Sequence, residues 1–182
     1  GVNNLFLLWS PSYYPRFGGL ENASREYALY FKKKGWDVRI ITNKYPISLP
    51  SYEELDGLSV NRYVFLNRPI EYIKSFRLDL FIAWILIKPL TLIRLIIFFK
   101  NHNPKIVNVH FPDNQLSELI ILNYLFRFKL VISFHGDEVY RLSKINKKTI
   151  QYRQILALSK WSSTITTCSS SLLNDIKRLF PN

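Results

Sequence analysis

The sequence of 182 residues is poor in cysteine and histidine, with one cysteine and three histidines. A single cysteine cannot form an internal disulfide, so a disulfide-stapled secreted domain is excluded and a reducing, cytoplasmic location is favoured. We expect Cys168 to be buried at a strand end and not to act as a catalytic thiol. The histidines His102, His110 and His135 have no metal-ligand spacing. We therefore expect neither a metal nor another cofactor.

Acidic residues are also scarce, with 13 Asp and Glu against 25 Lys and Arg, which gives a net charge of +12. No nucleic-acid-binding module is recognisable, and the basic residues are not interleaved with aromatic ones, so nucleic acid is excluded as a partner. The run Lys32–Lys34 ends a predicted helix, where cations complement the helix dipole. The remaining excess of charge favours an anionic membrane surface or a phosphate-bearing substrate.

Glycine is infrequent, with six residues, yet two are adjacent. Gly18 and Gly19 follow a predicted strand at Leu5–Trp9 and open a predicted helix, 20–34, which Gly35 terminates. Glycines at such a junction allow a ligand to approach the backbone, and the helix start presents unpaired N–H groups. The pattern favours an anionic ligand such as a diphosphate, although glycine pairs also occur in turns that bind nothing.

Strands and helices alternate along the rest of the chain. We predict strands at 37–42, 60–65, 105–110, 129–134 and 163–167, helices at 115–128, 149–161 and 169–179, and a loop at 43–57. This alternation predicts an α/β fold with a mostly parallel sheet and helices on both faces. The loops that begin at Gly18, Thr42, His110 and His135 then converge on the carboxyl edge of the sheet, where such folds bind ligands.

The segment 78–99 is strongly apolar but contains charged residues and Pro89. A helix that is apolar on nearly all sides is typical of a protein core, and we expect the proline to divide or kink it. An interfacial element, with Trp84 entering the lipid headgroup region, is the alternative. A transmembrane span is the least favoured of the three interpretations.

Five short motifs in order resemble those of the family 4 glycosyltransferases. They are Pro15–Glu21, Phe31–Val38, Ile106–His110, Val131–Asp137 and Ser163–Ser169. The resemblance implies one half of the GT-B arrangement, in which two Rossmann-like domains face each other across a cleft. Residues 1–182 would be the N-terminal, acceptor-side domain. The nucleotide-sugar-binding domain is expected to be absent from this chain, which alone would be inactive.

The resemblance also implies roles for individual residues. Gly18 and Gly19 match the loop that approaches the donor diphosphate, and His135 matches the catalytic histidine that reaches the donor sugar. Candidate acceptor contacts at the cleft rim are Tyr13, Tyr14, Arg16 and Asp113. Glu21 is expected to stabilise the first helical turn. Asp137 and Glu138 fit either a general-base pair or helix caps, and caps are the more usual role.

The implied function is transfer of a sugar from a nucleotide diphosphate sugar to a saccharide or a lipid-linked acceptor, with retention of configuration. The expected location is cytoplasmic, in peripheral contact with the anionic inner face of a membrane. The alternative is a non-catalytic α/β module that binds an anionic ligand or a protein partner through the same edge.

Overall fold

A computed structural model describes residues 4–67, 69–110 and 115–180. Its strands are β1 (Leu5–Trp9), β2 (Asp37–Asn43), β3 (Tyr52–Leu55), β4 (Leu58–Tyr63), β5 (Ile106–His110), β6 (Lys129–Phe134) and β7 (Thr164–Thr167). Its helices are α1 (Gly19–Lys33), α2 (Pro69–Lys74), α3 (Leu78–His102), α4 (Leu116–Phe126), α5 (Asp137–Lys144), α6 (Ile150–Trp161) and α7 (Ser170–Leu179). The predicted helices and strands are confirmed to within about three residues, and the short helices α2 and α5 are additions.

The strands form one sheet in the order β3-β4-β2-β1-β5-β6-β7. Every neighbouring pair is parallel except β3 and β4. From β1 the chain first builds outward through β2 to β4, and then returns to place β5 on the other side of β1. This reversal makes the sheet doubly wound and Rossmann-like, as predicted, with its topological switch point between β1 and β5.

The central strand β1 is buried along its whole length, as expected for a strand covered on both faces. Its side chains alternate between two apolar clusters: Leu7 and Trp9 belong to one, and Phe6 and Leu8 to the other. The first cluster also includes α3, α4, α6 and α7 residues, and the second includes Ala28 of α1. Helices therefore cover both faces of the sheet.

The predicted loop 43–57 is wrong in its second half, because it contains β3. This edge strand pairs antiparallel with β4 through a two-residue turn, Asp56-Gly57, whose φ angles are 54° and 69°. Positive φ at both central residues is the geometry that joins two strands in a tight hairpin, and Asp-Gly is its typical sequence.

The prediction that segment 78–99 is a core helix holds for its second half and is wrong for its first half. Helix α3 is long and apolar enough to cross a bilayer, and only 11% of its most apolar stretch is buried. Its buried residues are Thr91, Leu95, Phe98 and Phe99, all in its second half. Its exposed apolar residues are Leu78, Ile82, Ile85, Leu86, Leu90, Ile93 and Ile97. Pro89 lies inside the helix and does not divide it.

The first half of α3 extends beyond the carboxyl edge of the sheet. The helix has 25 residues, which span roughly 37 Å, and it ends next to the start of β5. Strand β5 has five residues and spans only about 16 Å. Since α3 runs antiparallel to β5, its N-terminal turns have no sheet beneath them, which explains why none of their side chains is buried.

Cys168 is exposed, so the predicted burial is wrong. It lies between the end of the edge strand β7 and Ser169, whose hydroxyl accepts a hydrogen bond from the Leu172 N–H at 3.2 Å and caps α7. Because β7 is the last strand of the sheet, it has a neighbouring strand on one side only, and a residue at its end is less enclosed than one at the end of a central strand.

Candidate functional site

The site lies at the carboxyl edge of the sheet, around the switch point. The loop after β1 leads to Gly18 and Gly19, and His110 ends β5. His135 follows the last residue of the next strand, β6. Because parallel strands all end at this edge, three loops from distant parts of the sequence meet there.

The glycine pair opens α1, and the protein's own packing does not require glycine at its second position. Gly18 is the N-cap residue and has extended backbone, with φ −176°. A Cβ added at Gly19 would meet no atom within 4 Å, whereas one added at Gly18 would lie 2.6 Å from Glu21 Oε2. The space in front of Gly19 is open, so a side chain there would occupy volume that a ligand at the helix N-terminus could use.

Glu21 is buried in the first turn of α1, where a carboxylate is stabilised by the helix dipole, as expected. Its Oε1 lies 3.8 Å from Nε of the exposed Arg16. The buried carboxylate thus holds the arginine at the entrance of the loop, with the rest of the guanidinium facing solvent.

Tyr13 and Tyr14, the predicted acceptor contacts, differ in exposure. Tyr13 is buried, and burial raises its pKa well above the usual value. The Tyr14 hydroxyl donates to Oδ1 of Asn22 at 2.6 Å. Both tyrosines line a cavity of about 230 Å³, and Glu53 and Asp56 are also among its lining residues.

The side chain of Arg62 holds the loop after β1 in place, a role that the sequence did not reveal. The side chain is 1% exposed, and its Nη2 donates to the Tyr14 carbonyl at 2.6 Å. Its Nη1 forms an ion pair with Glu53 of β3. A buried cation with charged and carbonyl partners holds the loop after β1 against the β3–β4 hairpin.

His135 is held at the sheet edge by the turn that follows it. Glu138, which is 3% exposed, accepts hydrogen bonds from the His135 N–H and from the Gly136 N–H, the latter at 3.1 Å. Gly136 has φ +125°, a conformation that favours glycine. Glu138 therefore acts as a helix cap, the more usual of its two expected roles. Asp137 is exposed and pairs with Arg141 at 3.3 Å.

The imidazole of His135 contacts a second histidine. His135 Nε2 lies 3.1 Å from His110 Nδ1, and the two ring centroids are 5.0 Å apart. On its other side, His110 Nε2 lies 2.6 Å from Asn108 Oδ1. Asn108 Nδ2 in turn donates to the Val131 carbonyl at 3.3 Å and to Ser133 Oγ at 2.9 Å.

This network fixes the proton on each ring. The Val131 carbonyl can only accept, so Asn108 Nδ2 must face it and Oδ1 must face His110. His110 then carries its proton on Nε2 and accepts at Nδ1. His135 must donate from Nε2, which leaves its Nδ1 as the hydrogen-bond acceptor in the neutral ring.

Burial keeps both rings neutral near pH 7. It lowers the pKa of His110 to about 3, with a smaller contribution from His135. It also lowers the pKa of His135, while the Glu138 carboxylate acts in the opposite direction. The acceptor at Nδ1 of His135 is therefore available around neutrality.

The histidine pair is connected to the glycine helix through serines. His110 Nδ1 also lies 3.5 Å from Oγ of Ser24, in the second turn of α1, and that hydroxyl lies 3.4 Å from Oγ of Ser10. Within the described residues, none of the hydrogen bonds of His135 goes to Gly18 or Gly19. His135 and the glycine pair are thus coupled indirectly, through His110 and α1.

Some predicted features are not brought into this network. Asp113 lies outside the described residues. Asn43, at the end of β2, accepts a hydrogen bond from the Phe65 N–H at 3.2 Å and supports the backbone. Among the described residues, no group of three or more histidine, cysteine or acidic side chains is placed to hold a metal ion.

The participation of His110, Asn108 and Ser24 was not predicted. His110 was recognised only as a strand end, and polar residues at Asn108 and Ser133, inside otherwise apolar strands, were the available signal. A buried strand that carries polar side chains at neighbouring registers indicates a buried network, because such groups must be paired.

A doubly wound sheet with a glycine-opened helix and a histidine at its carboxyl edge agrees with what the resemblance to family 4 implies for one half of a GT-B fold. The chain belongs to glycosyltransferase family 4: the profile described as "Glycosyltransferase Family 4" matches residues 17–182. The resemblance seen in the five motifs is thereby confirmed. No curated protein sequence matches the chain.

A solved structure agrees on the fold. Sucrose-phosphate synthase from Thermosynechococcus elongatus aligns with a TM-score of 0.68 and 13% identity, over 97% of this chain. A segment of the same enzyme aligns with a TM-score of 0.49 and 12% identity, over 97% of both chains. The present chain covers 45% of the length of the first of these structures.

Proposed function

We propose that the protein takes part in transfer of a sugar from a nucleotide diphosphate sugar to a saccharide or a lipid-linked acceptor, with retention of configuration. The observation that carries this proposal is the hydrogen-bonded pair of His135 and His110 at the switch-point edge of a family 4 fold. The pair gives one oriented, neutral imidazole at the edge where doubly wound sheets generally bind ligands, which supports the proposal.

The donor diphosphate is assigned to the glycine loop. The open space in front of Gly19 and the unpaired N–H groups at the start of α1 favour an anionic group. The diphosphate oxygens would accept from this backbone, and the leaving group's negative charge would be stabilised by the same N–H groups as the bond to the sugar breaks. No metal or other cofactor enters this proposal.

His135 is assigned to the donor sugar. With Nε2 donating to His110, its Nδ1 is an acceptor for a sugar hydroxyl. The hydrogen bond to His110 restrains rotation of the His135 ring, so the ring would lose little conformational entropy when a sugar binds. It would then fix the orientation of the sugar relative to the diphosphate. His135 would thus touch the substrate, and His110 would position it.

The acceptor is assigned to the loop after β1. Tyr13 and Tyr14 line a cavity together with Glu53 and Asp56, and aromatic rings beside hydrogen-bonding groups suit a sugar ring. Arg16 at the loop entrance and Asp113 complete the proposed acceptor contacts. The nucleotide itself is assigned to a second Rossmann-like domain facing this edge, so residues 1–182 alone are expected to bind donor weakly and to transfer no sugar.

We also propose that the protein works at the cytoplasmic face of an anionic membrane. The exposed apolar residues of α3 recur every three or four positions and form one stripe, the α3 stripe (Leu78, Ile82, Leu86, Leu90, Ile93 and Ile97). A contiguous apolar stripe on a protein with a net charge of +12 favours an anionic lipid surface. The second half of α3 packs in the core through Leu95 and Phe99, so the helix would lie on the membrane and not cross it.

The test is a transfer assay on the protein extended through its second domain, with labelled nucleotide sugars and with soluble and lipid-linked acceptors. Product formation supports the proposal. Proton NMR of the new linkage then shows whether the configuration of the sugar is retained. Saturable binding of a nucleotide sugar without transfer to any acceptor class supports the alternative, a non-catalytic module. The isolated chain serves as the control that should remain inactive.

A further inference from the structure

A second cavity, of about 560 Å³, lies between α3, α4 and α6. We call it the α3–α4 cavity. Its volume is that of a ligand site, and most of its lining residues are apolar. Those used below are Ile70, Trp84, Leu92, Leu116, Ile121 and Ile150.

The α3–α4 cavity opens at the same edge of the sheet as His135. Leu116 is the first residue of α4, which follows β5, and Ile150 is the first residue of α6, which runs back from the carboxyl edge towards β7. Ile70 belongs to α2, which follows β4. Each of these elements begins on the carboxyl-edge side of the sheet, which is also the side on which His135 lies.

Lys88 is the charged residue that lines the cavity, and its charge is neutralised by the carboxylate of Glu118. Lys88 Nζ lies 2.5 Å from Oε1 of Glu118, which is 1% exposed, and donates to Ser117 Oγ at 2.8 Å. Since this cation has a buried carboxylate partner, it does not favour a phosphate inside the cavity. Three amide side chains also line the cavity, Asn67, Gln151 and Gln154, but nine of its fourteen lining residues are apolar, so a sugar would still leave hydroxyl groups unpaired against most of the wall. The interior therefore fits a hydrocarbon chain.

The surface beside Ile150, one of the lining residues, is positively charged. Lys147 and Lys148 are exposed in the turn just before Ile150. Cations there complement a phosphate group placed outside the cavity while a chain lies inside. On the other side, Trp84 and Leu92 of the cavity wall share α3 with the α3 stripe, so the cavity adjoins the surface that we assign to the membrane.

We infer that the α3–α4 cavity binds the hydrocarbon chain of a phosphate-linked lipid acceptor, with its phosphate against Lys147 and Lys148 and its sugar directed to the His135 edge. This inference rests on the proposed function, of which it names the acceptor class. It also explains why a family 4 domain leaves the first half of α3 uncovered: the helix forms one wall of the chain site and contacts the membrane that supplies the lipid.

Binding of farnesyl phosphate to the 182-residue chain tests the inference, with methyl phosphate and farnesol as the comparison ligands. Calorimetry below the aggregation concentration of the probe should give saturable 1:1 binding of farnesyl phosphate, weaker binding of farnesol and none of methyl phosphate. The Lys147→Gln/Lys148→Gln variant should bind farnesyl phosphate no more tightly than farnesol.

Two matched variants of α4 locate the chain. Both side chains are partly open to solvent, Ile121 at 38% and Tyr124, one turn further along the same helix, at 76%, but only Ile121 lines the cavity. Ile121→Asp should weaken farnesyl phosphate binding by about tenfold or more, because it places a charge against the chain. Tyr124→Asp should leave the affinity within about twofold. Circular dichroism and thermal unfolding show whether both variants remain folded, and Ile121→Ser replaces Ile121→Asp if the latter does not.

Three results would overturn the inference. One is the absence of saturable farnesyl phosphate binding, and another is equal binding to the Ile121 and Tyr124 variants, which would place the chain elsewhere. The third is a dimer in sedimentation experiments that Ile121→Asp converts to a monomer, which would make a second copy the occupant. Sugar transfer to a soluble acceptor by the two-domain protein is measured separately, so the proposed function can stand while the chain site fails, or fail while the chain site stands.

Discussion

His135 Nε2 and His110 Nδ1 lie 3.1 Å apart and join the ends of two neighbouring strands, β6 and β5, at the carboxyl edge of the sheet. In this hydrogen bond His135 is the donor and His110 is the acceptor. Because His110 donates to Asn108 from Nε2, it can only accept from His135. The Val131 carbonyl is linked to His135 through Asn108 and His110. It therefore determines which nitrogen of His135 remains free to bind a ligand.

The first prediction concerns the tautomers. Long-range proton–nitrogen NMR at pH 7.5 should show both His110 and His135 protonated at Nε2. Asn108→Leu removes the acceptor for His110 and should produce a mixture of tautomers in both rings, with a loss of about 1–3 kcal/mol of stability for the unpaired buried donor. The Oγ1 atom of Thr166 lies 2.7 Å from Ser133 Oγ, at the far end of the network, and Thr166→Val should leave both rings unchanged. An Nδ1-protonated His135 in the native chain would contradict the assignment.

The second prediction concerns stability at acid pH. The pKa of His110 falls from its usual 6.5 to about 3 on folding, so the unfolded chain takes up a proton that the folded chain excludes. This contribution to stability is present above about pH 6.5 and is lost as the pH falls towards 3. The free energy of unfolding should decrease with a slope of up to about 1.4 kcal/mol per pH unit.

Denaturant titrations between pH 7.5 and 4.5 measure this slope. His110→Gln should remove most of it, because the neutral side chain takes up no proton in either state. His102→Gln changes a half-buried histidine at the C-terminal end of α3, before the start of β5, whereas His110 lies at the end of β5. This substitution should remove much less of the slope. Equal slopes in native and His110→Gln chains would show that other groups control acid unfolding.

Most strands and the parallel character of the sheet were predictable, because a buried parallel sheet requires continuous apolar runs between helices, whereas the order of the strands was not predicted. The β3–β4 hairpin was missed because Pro46 and Pro50 dominated the interpretation of that segment, although Asp56-Gly57 carried the hairpin signal. The exposure of α3 could not be derived from its composition, since an apolar helix is typical both of a core and of a membrane surface.

The candidate site was predicted in part. The positions of the glycine pair and of His135 at the carboxyl edge follow from strand ends, and the structure describes both there. The pairing of His135 with His110 could not be predicted, because it depends on the orientation of two rings that are 25 residues apart in the sequence. The acceptor and donor roles of these residues remain predictions.

The third prediction concerns the glycine pair. Gly19→Val should alter stability by no more than about 1 kcal/mol, because its Cβ meets open space and the cost is that of helix propensity. In the two-domain protein, the same substitution should lower transfer by at least about tenfold, since the side chain displaces the donor diphosphate. Gly18→Ala is the comparison, and it should be more destabilising than Gly19→Ala because its Cβ meets the Glu21 carboxylate. Normal transfer by Gly19→Val would separate the glycine loop from the donor.

The fourth prediction concerns the membrane. Sedimentation with anionic vesicles at low salt should exceed sedimentation with neutral ones, and it should fall as salt shortens the Debye length to about 8 Å at physiological strength. The double variant Leu86→Glu/Leu90→Glu should weaken binding by roughly tenfold through loss of apolar burial. Tyr30→Glu, an exposed residue of α1, is the control and should bind nearly as the native chain does. Equal binding to both vesicle types would contradict the membrane assignment.

The most direct test of the account is the rate of sugar transfer by the two-domain protein carrying His135→Ala, compared with the native protein at the same donor and acceptor concentrations. Loss of a positioned hydrogen-bonding group at the reacting sugar should lower the rate by on the order of ten- to a thousand-fold. The thermal unfolding midpoint should change little, because His135 is only half-buried. A His135→Ala protein that folds and transfers sugar at the native rate would contradict the central claim.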